Sequence, residues 1–244
     1  MNNREDNVSR MEKKKLGIIG GVGPAASAFF YNRITEHTEA SCDQEHLDIL
    51  LFSHATLPDR TAAIKDGNDT ELVELLRKDV KMLESLGAAN IAIPCNTSHY
   101  FFDKVQSAVS VPLINMIHES VRYAAEHYKN VQKIGIMATD GTIQTRLYHK
   151  ECESFGIIPF HPSKERQIDV MSLIYDDIKR GKAADVSKFS RVMEEFTANG
   201  CDVVILACTE LSVYAETHDV PDICLDAMDV LVRESIRRSG ATYK

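Results

Sequence analysis

The sequence predicts an α/β protein made of two similar halves, each a parallel sheet flanked by helices. Three observations carry that expectation. Short β-branched runs alternate along the chain with longer segments of helical period, the pattern of strand–helix–strand units. Landmarks recur in the same order in the two halves. The chain has 244 residues, more than one ordinary domain of about 150 and well suited to two units of about a hundred each.

The elements follow in order. Residues 1–15 (MNNREDNVSRMEKKK) are dense in charge and hold only Met1, Val8 and Met11 as apolar side chains. They read as a flexible extension without the apolar stretch of a secretory signal. The apolar runs 16–19, 47–52, 90–93 and 113–114 supply strands for the first half. The runs 133–137, 157–160, 203–207 and 223–225 supply those of the second. Between them Leu72, Leu75, Leu76, Val80, Leu83 and Leu86 form an i, i+3, i+4 stripe that Gly87 closes.

The repeat is visible residue by residue. Lys15-Leu16-Gly17-Ile18 has its counterpart in Lys133-Ile134-Gly135-Ile136. Gly87 and Gly200 each stand eight residues ahead of a cysteine, Cys95 and Cys208, with an apolar strand between. Val111-Pro112 and Val220-Pro221 follow in turn. The last helical stretch, 227–237, has no counterpart and is free to pack back on the first half. The expected division is an extension at 1–15, a first α/β domain of 16–113 plus 225–244, and a second of 114–224.

Composition narrows the function classes. With 44% apolar and 26% charged residues the chain is an ordinary globular protein. A net charge of −8 argues against nucleic acid or an anionic membrane surface as partner. No apolar run reaches the length of a membrane span. Six cysteines, at 42, 95, 152, 201, 208 and 224, include no C-x-x-C pair, which disfavours a zinc knuckle, any other metal centre of that kind or a thioredoxin-like motif. The chain reads as cytoplasmic, with reduced thiols.

Four of those cysteines lack a counterpart and read as small hydrophobes. The matched pair, Cys95 and Cys208, reads differently. Each closes a buried strand, where ligands of open parallel sheets bind. Each precedes residues suited to a helix start, whose N–H groups and dipole lower a thiol pKa. Two like groups from two like halves suit inversion of a carbon stereocentre, which needs a base on one face and an acid on the other.

The motifs GIIGGVGPAA, PDRT at 58–61, PCNTSH at 94–99, ATDGT at 138–142, IYDDIKRG at 174–181 and ACTEL at 207–211 occur in family order. Over about 15–235 the chain resembles the cofactor-independent aspartate/glutamate racemase family, closest to its aspartate racemase branch. The resemblance implies two α/β domains related by a pseudo-twofold axis with the active site in the cleft between them, a homodimer, and no cofactor. It implies Cys95 and Cys208 as proton donors and acceptors, and Arg60 and Lys179 as cations that hold carboxylates. It implies Asn96, Thr97, Ser98 and Thr209, with the loop Gly21, Val22, Gly23 and Pro24, as the lining of a pocket for a small amino-acid substrate. Removing an α-proton beside a carboxylate without pyridoxal phosphate needs preorganised donors, and two cations suit aspartate first, glutamate next.

Other readings compete. Broader amino-acid specificity within the family is one, and a non-catalytic amino-acid-binding protein is another. The loop Gly21-x-Gly23-x-x-Ala26 also suits a nicotinamide site, but the second strand ends in Ser53-His54 rather than an acid for the ribose. Cys95 with His99 suits a thiol hydrolase.

Overall fold

The computed structural model describes residues 13–244. Its first sheet holds β1 (Leu16–Gly20), β2 (Ile49–Ser53) and β3 (Asn90–Ala92), all parallel, in the order β2-β1-β3. Its second holds β4 (Lys133–Ala138), β5 (Ile158–Phe160), β6 (Val203–Ala207) and β7 (Cys224–Asp226), also parallel, in the order β5-β4-β6-β7. The register repeats too. Gly17 lies between Leu50 and Ile91 in the first sheet, as Gly135 lies between Phe160 and Val204 in the second. The run at 113–114 forms no strand but a single parallel bridge from Leu113 to Ile91, at the place β7 occupies in the other sheet.

Eleven helices, counted among the described residues, surround the sheets. The first five in chain order are α1 (Pro24–His37), α2 (Arg60–Lys65), α3 (Thr70–Ser85), α4 (Phe102–Gln106) and α5 (Met116–His127). The remaining six are α6 (Asp140–Thr145), α7 (Leu147–Ser154), α8 (Lys164–Ser172), α9 (Val186–Ala198), α10 (Thr209–Thr217) and α11 (Ala227–Arg238). Side-chain caps start many of them: Asp59 accepts from the Ala62 N–H, Thr139 from Thr142, Ser163 from Arg166 and Asp226 from Met228. Gly87 and Gly200 end α3 and α9 at positive φ, and the next residue's N–H reaches back to Leu83 and Phe196 respectively. The stripe on α3 buries Leu72, Leu76, Val80 and Leu83. Leu86 lies beyond the helix and is exposed.

Strand alternation sorts the core into three layers. Ile19, Ile91 and Ile93 pack under α3 and α4 with Leu76 and Val105. Met137, Val204 and Leu206 pack under α8 and α9 with Val170 and Phe196. The opposite faces of both sheets share one central core: Leu16 and Ile18 from β1, Ile134 and Ile136 from β4, and Phe30, Val121, Tyr148 and Leu231 from helices. Within it α11 lies against α1 and α5. Glu119 on α5 and Glu234 on α11, both buried, pair with Arg122 and Arg238.

Residues 1–12 of the expected extension lie outside the described residues. Of the next three, Lys14 donates its N–H to the Ser239 carbonyl, and the Lys15 carbonyl accepts from Ala89. Burying the shared face joins the halves along the central layer. The carboxyl ends of β1, β3, β4 and β6 are left to form the site.

Candidate active site

Cys95 follows β3 across a tight turn at Pro94, in which its N–H donates to the Ile93 carbonyl at 2.7 Å. Cys208 directly follows β6 and stands at the start of α10. Both thiols are buried, and they line one small cavity with Val22, Asp59, Arg60, Thr61, Asn96, Thr97, Thr139, Tyr175, Lys179, Ala207, Thr209 and Glu210. The cavity encloses about 30 Å³, room for about one water molecule.

Eight of the residues expected from sequence therefore meet there: Cys95, Cys208, Arg60, Lys179, Asn96, Thr97, Thr209 and Val22. Ser98, Gly21, Gly23 and Pro24 do not line it. Ser98 is buried behind the wall. Gly21 and Gly23 hold the loop instead: the Gly21 N–H donates to Ser27 Oγ, which donates to the Gly23 carbonyl, each at 3.0 Å. Gly21 sits at φ +83° with the His54 backbone where a Cβ would be, so only glycine fits. That closed loop also spends the first N–H a pyrophosphate would need.

Asn96 is shaped for a ligand. Its Oδ1 accepts from the buried Tyr148 hydroxyl at 2.6 Å, while its Nδ2 is buried and meets no hydrogen-bond partner among the described residues. An orphaned donor in a cavity wall is costly unless a ligand meets it. Thr97 turns the other way, its hydroxyl within 3.1 Å of Thr142 and 3.4 Å of Thr139 in the second half. Arg60 opens α2 and donates to the Pro58 carbonyl at 3.1 Å; among the described residues it has no ion-pair partner.

Lys179 reaches the cavity through an irregular segment. After α8 the backbone widens into a π-helical turn, Leu173–Asp177, then tightens into a 3₁₀ turn, Ile178–Arg180, that Gly181 ends. Such turns re-aim side chains. Here the Lys179 ammonium stands 4.3 Å from the Tyr175 ring centre and 3.7 Å from Glu210 Oε1. Burial works against its charge, but the Glu210 carboxylate, with Tyr175 and the thiols, outweighs it and raises its pKa.

The sequence reading missed Glu210. Cys208 Sγ donates to Glu210 Oε2 at 2.9 Å, and the Thr209 hydroxyl donates to the same oxygen at 3.3 Å. The expectation that the helix start lowers the Cys208 pKa is corrected. Burial, and then the adjacent Glu210 carboxylate, push the thiol well above its ordinary value despite Lys179 nearby. At Cys95 the expected helix is a 3₁₀ turn, Thr97–Phe101, and Asn96 does not cap it.

Two alternatives lose their geometry. His99 sits close to the Cys95 backbone, not its sulfur: Nδ1 lies 2.9 Å from the Cys95 carbonyl, and Nε2 accepts from the Met116 N–H. Both ring nitrogens are engaged by backbone groups, so the ring bridges backbone segments instead of serving Cys95 Sγ as the base of a hydrolase dyad, and desolvation lowers its pKa. A larger groove of about 710 Å³ opens beside Tyr175, bordered by Ile143, Ile168 and Met171, but no thiol reaches it. Among the described residues no three His, Cys, Asp or Glu side chains are placed to share a metal ion. No helix among them is long and apolar enough to cross a membrane.

Known proteins share this arrangement of halves. The Asp/Glu/hydantoin racemase family matches residues 19–235. The chain is 25% identical over 225 residues to the broad specificity amino-acid racemase RacX of Bacillus subtilis (strain 168), covering 91% of this chain and 96% of the relative. Its fold is that of the Picrophilus torridus aspartate racemase, with a TM-score of 0.80 at 24% identity over 95% of this chain and 96% of that one. The glutamate racemase of Francisella tularensis subsp. tularensis SCHU S4, solved in complex with D-glutamate, is similar at a TM-score of 0.60 and 18% identity, over 92% of this chain and 80% of that one. With the family matched over nearly the whole chain, the protein belongs to the Asp/Glu/hydantoin racemases and is an amino-acid racemase.

Proposed function

We propose that the enzyme interconverts the L and D forms of an acidic amino acid, aspartate first and glutamate next, with Cys95 and Cys208 acting on opposite faces of the α-carbon. One sulfur takes the α-proton as the Cα–H bond breaks, and the other delivers a proton to the opposite face of the planar carbanion. Arg60 and the free Nδ2 of Asn96 hold the α-carboxylate and stabilise the charge that builds on it. Lys179 and Thr209 meet the rest of the substrate. The observation that carries this reading is that two buried thiols from equivalent strand ends line one cavity with unpaired donors. The same reading takes the enzyme as a cytoplasmic homodimer that needs no cofactor.

One observation favours a second reading, broader amino-acid specificity. Glu210 offsets the charge of Lys179, which leaves Arg60 as the uncompensated cation of the cavity among the described residues. A site with one free cation holds one carboxylate firmly and is less exclusive about the side chain. Chiral chromatography of single enantiomers incubated in deuterated water separates the two readings. Aspartate and glutamate, together with neutral and basic amino acids, form the panel. Conversion and Cα deuteration confined to aspartate or glutamate support the first reading, and comparable rates across the panel support the second. If no enantiomer is converted and no deuterium enters Cα, both are wrong.

A further inference from the structure

The two halves place their cysteines alike, and the residues that follow the two cysteines differ. Two residues beyond Cys208 stands Glu210, and two residues beyond Cys95 stands Thr97. Glu210 is buried and fixed at both oxygens. Oε2 accepts from Cys208 Sγ at 2.9 Å and from the Thr209 hydroxyl at 3.3 Å, while Oε1 faces Lys179 Nζ at 3.7 Å. A carboxylate offers only acceptors, so the hydrogen in the first contact belongs to the thiol. Thr97 spends its hydroxyl on Thr139 and Thr142, and Cys95 Sγ makes no hydrogen bond to any described residue.

We propose that Glu210 is a positioning residue that keeps the proton on Cys208, so that the free enzyme presents Cys208 as the acid and Cys95 as the base; this rests on the two-thiol reading above. A thiolate at Cys208 would stand against a carboxylate at hydrogen-bond distance inside a water-poor cavity, where like charges repel strongly. Among the described residues no carboxylate stands at hydrogen-bond distance from Cys95 Sγ in this way, although Asp59 lines the same cavity. The ionisable groups facing the pair are Lys179 and Tyr175 from the irregular segment after α8, Cys95 across the cavity, and Asp59 and Arg60 at the start of α2. Burial and Glu210 raise the Cys208 pKa together, and Lys179 opposes them.

The proton count closes. The α-proton passes to Cys95 as the Cα–H bond breaks, the electron pair left on Cα takes the proton of Cys208, and the turnover ends with a Cys95 thiol and a Cys208 thiolate. Exchange with water then returns a proton to Cys208 and removes one from Cys95. The opposite enantiomer needs the reversed state, in which the Cys208 thiolate faces Glu210. Because the enantiomers have equal free energy, kcat/KM is the same in both directions at every pH. The asymmetry therefore shows at the sulfurs themselves.

Site-resolved alkylation of the substrate-free full chain with iodoacetamide, followed by peptide mass spectrometry across a pH series, reads it directly. Only thiolates react. In the wild type, Cys95 is alkylated at lower pH than Cys208. Glu210→Gln raises the Cys208 rate at neutral pH about tenfold for each unit by which its pKa falls, and leaves the Cys95 rate within about twofold. Glu210→Asp, which keeps the charge, keeps Cys208 slow. Cys208 reacting at lower pH than Cys95 in the wild type overturns the proposal, and so does a Cys208 rate that Glu210→Gln leaves unchanged. The wild-type series decides by itself if the variant does not fold. Alkylation uses no amino acid, so a failure of racemisation tells against the functional reading and leaves this proton placement to be judged on its own.

Discussion

At Cys95 and Cys208 the same place in two repeated halves meets different neighbours, and both thiols are needed if protons move on two faces. Cys95→Ala and Cys208→Ala are each expected to lower racemisation by at least about 10²- to 10⁴-fold, the range of a lost general acid or base. Chiral chromatography of the purified variants checks this, and full activity in either sinks the two-thiol mechanism. Tyr148→Phe tests the amide between them. It removes the hydroxyl that fixes Asn96 Oδ1, frees the amide to turn, and is expected to raise KM more than it lowers kcat, by about tenfold for a lost hydrogen bond of about 1.4 kcal/mol. Equal KM values in variant and wild type would show that the orientation of Asn96 does not matter. The cysteines were legible because the repeat marks them out from the four that have no counterpart. Glu210 was not, because an acid just past Cys208-Thr209 reads as an ordinary first-turn helix residue. Its partner Lys179 lies on a separate segment that only the fold brings within 3.7 Å.

Elements show the same division between what pattern dictates and what packing decides. Strand ends and the α3 stripe follow from hydrophobic period, and so do the glycines that end α3 and α9. The π-helical turn at Leu173–Asp177 does not, because IYDDIK has the composition of a plain helix and the widening is a matter of tertiary fit. Likewise the run at 113–114 is too short to show whether it pairs along its length or bridges once. One helix start carries a pH dependence that only burial creates. Asp226 caps α11, accepts from the Met228 N–H and the Ser212 hydroxyl, and is raised to about 6 by desolvation, with Asp229 adding to the shift and Arg33 opposing it. A carboxyl raised in the folded state stabilises while protonated, below its ordinary value near 4, and that stability is lost as pH rises through about 6. Asp226→Asn keeps the acceptor oxygen without the charge. It is expected to be more stable than the wild type at neutral pH, with the gap closing as pH falls to about 4. Urea unfolding at a series of pH values measures this, and a gap that does not change with pH contradicts it.

On the scale of the whole molecule the cleft is narrow. The pocket that the two thiols line is small, about 30 Å³, and its walls come from both halves of the chain. One contact between those walls is that of α2 with α6. Gly141 in α6 is buried there, and a Cβ on it would stand 2.9 Å from Thr61 Oγ1 and 3.2 Å from Thr61 Cγ2. Gly141→Ala brings two opposed effects. It favours the helix by up to about 1 kcal/mol, and it wedges α2 away from α6, carrying Arg60 from its place beside Cys95. The expected result is a melting temperature close to that of the wild type with KM raised about tenfold, equivalent to about 1.4 kcal/mol of substrate binding. Thr61→Ala removes the atoms the new methyl meets, so adding Gly141→Ala to it is expected to change KM by less than about twofold. Thr61 also lines the cavity, and the coupling is therefore read from the full double-mutant cycle rather than from either variant alone. If Gly141→Ala raises KM equally with and without Thr61→Ala, the effect does not pass through this contact, and its source has to be sought elsewhere in the cavity wall.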